Sequence, residues 1–181
     1  MLQWPQPLPL EDECAWLLRE VGTGLLQWFN GQAVNLVAKG SAVTQQELLT
    51  QHFPGFQDHC VYKGHRVFLY ERAQIFVADV WSAFKGVDLG EFKDIASITI
   101  FADHVVPAVL QHWGTLTCSP TLATVLDTSQ EITPGSEEEV EIRTCSITAV
   151  EWLQEYLTAQ FGKQRFAVEE FPAHELSLKV S

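Results

Sequence analysis

The stretch from residue 70 to 84 constrains this chain more than any other. Leu69, Ala73, Phe76, Val77, Val80 and Phe84 return at three- and four-residue steps, and Ile75 and Trp81 widen the stripe. A helix apolar over so much of its circumference belongs at the centre of a core, walled by other elements. The sequence offers those walls mainly as further helices. Residues 11–29 set Trp16, Leu17, Val21, Leu25 and Trp28 on one face, with Gly22 and Gly24 as interruptions. Residues 43–53 form a shorter helix that Pro54-Gly55 stops. The apolar run 105–113 ends at Gly114, the expected residue after a helix, and Pro107 lies early enough that its missing N–H costs little. Residues 120–126 read as a short helix. Ser136 with Glu139 makes a capping-box signature for a long helix to about Phe161, stopped by Gly162, with Ala149, Val150, Leu153, Leu157 and Phe161 as its buried face.

Strand patterning is sparse. Val61-Tyr62 and residues 66–69 flank Lys63-Gly64-His65 and predict one small β-hairpin, with a weak strand at residues 165–168. The class is mainly α, and residues 1–181 are expected to form one helical domain. A hydrophobic content of 46% with 11 Phe and 6 Trp suits a packed core, not a disordered chain.

Charge narrows the function. Lys and Arg number 11 against 23 Asp and Glu, giving a formal net charge of −12. Such a chain is repelled by a polyphosphate backbone, which disfavours nucleic-acid polymers but not a single nucleotide held in a local basic pocket. Cys14, Cys60, Cys118 and Cys145 show no CxxC spacing and read as reduced core thiols, not a zinc site. The first ten residues hold three prolines and no basic stretch before an apolar run, unlike a signal peptide. No stretch reaches the ~20 apolar residues of a membrane span. A cytoplasmic protein without a membrane segment is the expectation.

Three acids stand in apolar sequence: Asp79, Asp94 and Asp103. Asp79, inside the most hydrophobic helix, is expected to be buried, with Arg72 two helical turns earlier as its partner. Asp103 precedes an apolar run and has two readings. It is a helix cap, or a carboxylate at the mouth of an apolar, aromatic-walled cleft, placed to stabilise positive charge in a transition state. His59, His65, Arg66 and Lys63 form a local basic patch that reads as a solvated hairpin tip. No GxSxG, P-loop or GxGxxG is present, so serine hydrolase, ATPase and dinucleotide chemistry have no support.

Four blocks in order, FPGFQDHCVYKGHRVFLY, YERAQIFVADVWSAFKG, FKDIASITIFADHVVPAVLQHWG and GSEEEVEIRTCSITAVEWL, resemble the queuosine salvage family over about residues 45–161. The resemblance implies a helical core similar to that of DNA glycosylases. It also implies hydrolysis of the N-glycosidic bond of queuosine 5′-phosphate to queuine and ribose 5-phosphate, without metal or cofactor. The family's F-A-D motif falls on Phe101-Ala102-Asp103, which implies that Phe101 stacks on the base and Asp103 is the catalytic carboxylate. Asp79 and Arg72 are candidate substrate-binding residues in the same frame. Glu71 stands where the family often has Lys. An aromatic N-terminal block and a W-D-Y-type C-terminal block are not recognisable, so the chain reads as shortened at both ends. The alternative is a non-catalytic helical interaction protein that keeps the family core and seeks a protein partner through its uncovered apolar surface.

Overall fold

The computed structural model describes residues 10–37, 40–128 and 131–162. Among these lie six α-helices: α1 (Glu11–Trp28), α2 (Ala42–His52), α3 (Glu71–Ala83), α4 (Val105–His112), α5 (Pro120–Asp127) and α6 (Glu137–Phe161). A hairpin of β1 (His59–Tyr62) and β2 (His65–Phe68) joins α2 to α3. The mainly helical class with one small hairpin is therefore what the chain adopts. His59 pairs with Phe68 and Tyr62 with His65, across a turn where Lys63 and Gly64 both take positive φ, as a two-residue hairpin loop demands. The strand expected at residues 165–168 lies outside the described residues.

Serines cap the starts of α6 and α2, and the second gains a long-range addition. Ser136 accepts from the Glu139 amide, while the Glu139 carboxylate reaches back to the amide of Gly135, one residue earlier than a standard capping box. Ser41 caps α2 by accepting from Thr44, and Asp94 reinforces it from 52 residues away by accepting from the Ala42 amide at 2.6 Å. Asp94 also accepts from the Val43 amide and the Ser41 hydroxyl. Those donors hold the Asp94 carboxyl below its ordinary range, the Ala42 amide most of all. A single parallel bridge between Gly40 and Phe92 lies beside this contact.

The core has two parts. Phe29, Leu36, Leu49, Phe53 and Ala73 form the larger, with Val21 and Leu25 of α1 packed on it. Phe53 has no exposed surface and stacks on Phe29 at 5.9 Å. Gly24 is the interruption that α1 needs. A Cβ there would sit 2.4 Å from the Phe53 ring, so glycine permits the close approach. Ala42, Val77 and Phe92 form the second part.

Several burial expectations are corrected. Only Ala73, Gln74 and Val77 of α3 are buried, while Trp81 and Phe84 are exposed, so the helix is central along one edge alone. Asp79 is exposed, not buried, and Arg72 donates to the Gly55 carbonyl at 3.0 Å instead of pairing with it. The cause is geometric: seven residues of helix rise about 10 Å, and apolar sequence neighbours do not enclose a side chain turned to the open face. Trp16 and Trp28 leave the buried face of α1, and Phe161 leaves that of α6, where Val140 and Ser146 are the buried positions. Cys14 and Cys145 are exposed and free, so neither is a core thiol. No described helix is long and apolar enough to cross a membrane.

Candidate active site

Gln74 is the first residue that positions the site. Buried in α3, it donates to the Leu69 carbonyl, and its own oxygen accepts from the amide and hydroxyl of Thr99. This fixes the extended segment leading to Phe101-Ala102-Asp103. At its end Asp103 Oδ1 accepts from the amides of Val105 and Val106 at 2.9 and 3.1 Å, satisfying two of the free donors that open α4. The capping reading of Asp103 is thus realised. Its second oxygen takes no hydrogen bond among the described residues, and the side chain is exposed on the rim of a cavity.

That cavity measures about 700 Å³. Pro107, Leu116, Leu126, Ile132 and Ile142 supply its apolar surface, and Asp58, Glu71, Arg72, Glu139 and Arg143 its polar side. The wall is aliphatic, not aromatic as expected. Cys118 also lines it, and burial pushes its thiol above the ordinary value, leaving a neutral wall group.

One guanidinium organises the polar side. Arg143, with 14% of its side chain exposed, pairs with Asp58 through both terminal nitrogens at 3.0 and 2.5 Å. It also pairs with Glu71 at 2.9 Å and with Glu139 at 3.3 Å, one helical turn away. Burial alone would lower the Arg143 pKa; the hydrogen bonds and charge of Asp58, with Glu139 and Glu71, outweigh it and hold it above the ordinary arginine value. Among the described residues no group of acids, histidines and cysteines is placed to hold a metal ion.

The structure brings Asp103 and Arg72 to one cavity and leaves two other candidates off it. Phe101 is partly buried and Asp79 exposed, and neither lines the cavity. Sequence reasoning missed Asp58, Glu139 and Arg143 as site residues. One signal was available: Arg143 is the single cation in the acidic first half of α6, four residues after Glu139, where a buried arginine must find carboxylates. The basic hairpin patch is tied down in part, since Lys63 pairs with Glu141 of α6 and donates to the Tyr62 hydroxyl.

The sequence profile described as "Queuosine salvage protein" matches residues 1–176. The chain belongs to the queuosine salvage family. The match runs past both ends of the stretch at residues 45–161, so the flanks carry family sequence too. Relatives named queuosine 5′-phosphate N-glycosylase/hydrolase include a Dictyostelium discoideum protein, 42% identical over 98% of this chain and 60% of its own length. One from Sphaerobacter thermophilus is 44% identical over 84% and 48%, and one from Mus musculus 40% over 83% and 45%. The chain spans about half the length of the curated relatives it matches. Within the family frame, Ala102 and Asp103 of the F-A-D motif line the cavity, and the buried Gln74 of Arg-Ala-Gln tethers the segment that leads to them.

Proposed function

We propose that this chain acts in queuine salvage by hydrolysing the N-glycosidic bond of queuosine 5′-phosphate, as its relatives are named for doing. The observation that carries the reading is Asp103, a carboxylate fixed by two amides with one oxygen left over, at the rim of a cavity of about 700 Å³. Such a volume suits a small ligand. In the reaction the C1′–N bond breaks, its electron pair leaves with the base, and water oxygen bonds to C1′. Positive charge builds on the ribose in the transition state, so a preorganised carboxylate stabilises it more than the ground state. Asp103 is also placed to orient the water or take its proton. The departing base receives a proton; in a 7-deazaguanine it cannot go to N7, which is carbon, so the pocket must hold the base by its other edges.

Arg72 is assigned as the exposed cation of the cavity wall that contacts the substrate, and Phe101 as a base-stacking group reached by a side-chain movement. Asp79 is not carried into this assignment. The reading calls for no cofactor and no nucleic-acid polymer, and places one domain of residues 1–181 in the cytoplasm.

The test is release of queuine from queuosine 5′-phosphate, followed chromatographically. Asp103→Asn keeps a good capping group and should lower kcat about 10²–10³-fold without changing the melting curve. Phe101→Ala should act mainly on KM. A folded wild type without turnover would replace the enzyme reading by the interaction-protein one. An equally active Asp103→Asn would remove Asp103 from the mechanism.

A further inference from the structure

Arg143 has five N–H donors, and the structure accounts for all of them. Nη1 donates to Asp58 Oδ1 and Glu139 Oε1, and Nη2 to Asp58 Oδ2 and Glu71 Oε2. The fifth, on Nε, goes to a neutral group, the carbonyl of Ala102, at 3.2 Å. With every donor engaged, this guanidinium has none left for a ligand, although it lines the cavity.

The one uncharged contact lies immediately before Asp103. The Ala102 oxygen belongs to the peptide plane that ends at the Asp103 nitrogen, and Ala102 itself is buried. The other side of that plane is also tied, since the Asp103 amide donates to the Phe101 carbonyl at 2.9 Å. A peptide is planar, so holding its oxygen and its hydrogen fixes where Asp103 Cα starts. The two amides of α4 then fix the carboxylate at the other end.

We propose that Arg143 is a positioning residue for Asp103: its Nε locks the Ala102–Asp103 peptide, and Asp58, Glu71 and Glu139 lock its plane. This rests on the proposed role of Asp103. With its N–H donors all engaged within the protein, Arg143 is assigned no hydrogen bond to ribose or base and acts on the placement of the carboxylate. Lysine at this position keeps one positive charge among the three acids but carries its donors on a single nitrogen. It cannot grip Asp58 and reach the Ala102 carbonyl together.

The experiment compares wild type and Arg143→Lys by kinetics with queuosine 5′-phosphate and by amide exchange read residue by residue. A displaced reacting group of order 1 Å costs about 10²-fold, so kcat should fall about 10–10²-fold while KM stays within about threefold. The Val105 and Val106 amides, held by Asp103, should exchange about tenfold faster in the variant. An unchanged kcat in a folded Arg143→Lys overturns the proposal, and so does a raised KM at constant kcat, which would make Arg143 a substrate contact. If the variant fails to fold, the wild-type Arg143 Nε–H decides: slow exchange supports the lock, and exchange as fast as a surface arginine's refutes it. If the wild type has no turnover, the glycosidase reading falls, and the exchange of Val105 and Val106 still tests the lock by itself.

Discussion

Removing Asp58 tests how the polar wall is held together. The Asp58 carboxylate forks onto Arg143, and its Oδ2 accepts from the Glu71 amide at 3.2 Å, capping α3. That cap is needed because Tyr70, the residue at the helix start, has φ 51° and no capping side chain. Breaking a buried ion pair costs about 3–5 kcal/mol when it strands the partner charge. Arg143 is not stranded here, because Glu71 and Glu139 remain on it. Asp58 is also 24% exposed, which weakens the pair further. The lost cap adds back about 1 kcal/mol. The expected loss for Asp58→Ala is therefore about 2–3 kcal/mol, or about 4–12 °C in Tm for a chain of this size.

Urea unfolding of wild type and Asp58→Ala, with Glu139→Gln as a comparison, makes the measurement. Glu139 sits one turn from Arg143 at the longest of the three separations, so its loss should cost about 0–0.5 kcal/mol. If Asp58→Ala costs under about 0.5 kcal/mol, Glu71 and Glu139 suffice to hold Arg143. The wall would then not depend on the fork.

Two glycines of α1 should respond in opposite directions. Gly22→Ala meets nothing within 4 Å and should stabilise by about 0.5–1 kcal/mol, whereas Gly24→Ala drives a Cβ into Phe53 and should destabilise by about 1–3 kcal/mol despite better helix propensity. Urea midpoints would show both signs, and a stabilising Gly24→Ala would mean that the α1–Phe53 contact is loose. Asp94 should give a pH signature. Its folded pKa is lowered, so its contribution is full above the unfolded carboxylate value of about 4 and is lost as pH falls through the folded one. The Tm gap between wild type and Asp94→Asn should narrow as the solution is taken from pH ~7 to ~3; a gap constant over that range would mean that the Asp94 charge adds nothing to the Ser41 cap of α2.

Elements with local signals were legible in the sequence. Helix period, Gly162 at positive φ and the Ser136 cap set the limits of α6, and the Lys63-Gly64 turn set the hairpin. Asp103 before an apolar run was legible as a cap for the same reason, since its partners are two and three residues away. Burial was less legible, because the face a helix turns inward depends on what packs there. Asp79 shows this: its flanking Ala78 and Val80 are partly buried while its own side chain is exposed. The polar wall was not legible at all. Arg143 meets Asp58 across 85 positions and Ala102 across 41, and no local pattern records such a distance.

Those long-range contacts form a closed circuit around the carboxylate. Through Gln74, α3 holds Thr99, four residues before Asp103, and through Arg143, α6 holds Ala102, one residue before it. The two helices are themselves joined, since Glu71 opens α3 and pairs with Arg143, while Asp58 binds both the Glu71 amide and the guanidinium. A circuit differs from a chain in how it fails: cutting one link leaves the other path intact. The Gln74 path sets where the segment runs, because it grips backbone and hydroxyl of one residue well upstream. The Arg143 path sets orientation, because it grips the last peptide before the carboxylate. Under the proposed function the site would hold one oxygen against a transient cation and need both, and orientation would be the stricter demand, since electrostatic stabilisation depends on donors and charges being fixed before the reaction starts. On that proposal the larger share of the site's precision lies in α6, a helix to which the proposed reaction assigns no reacting group.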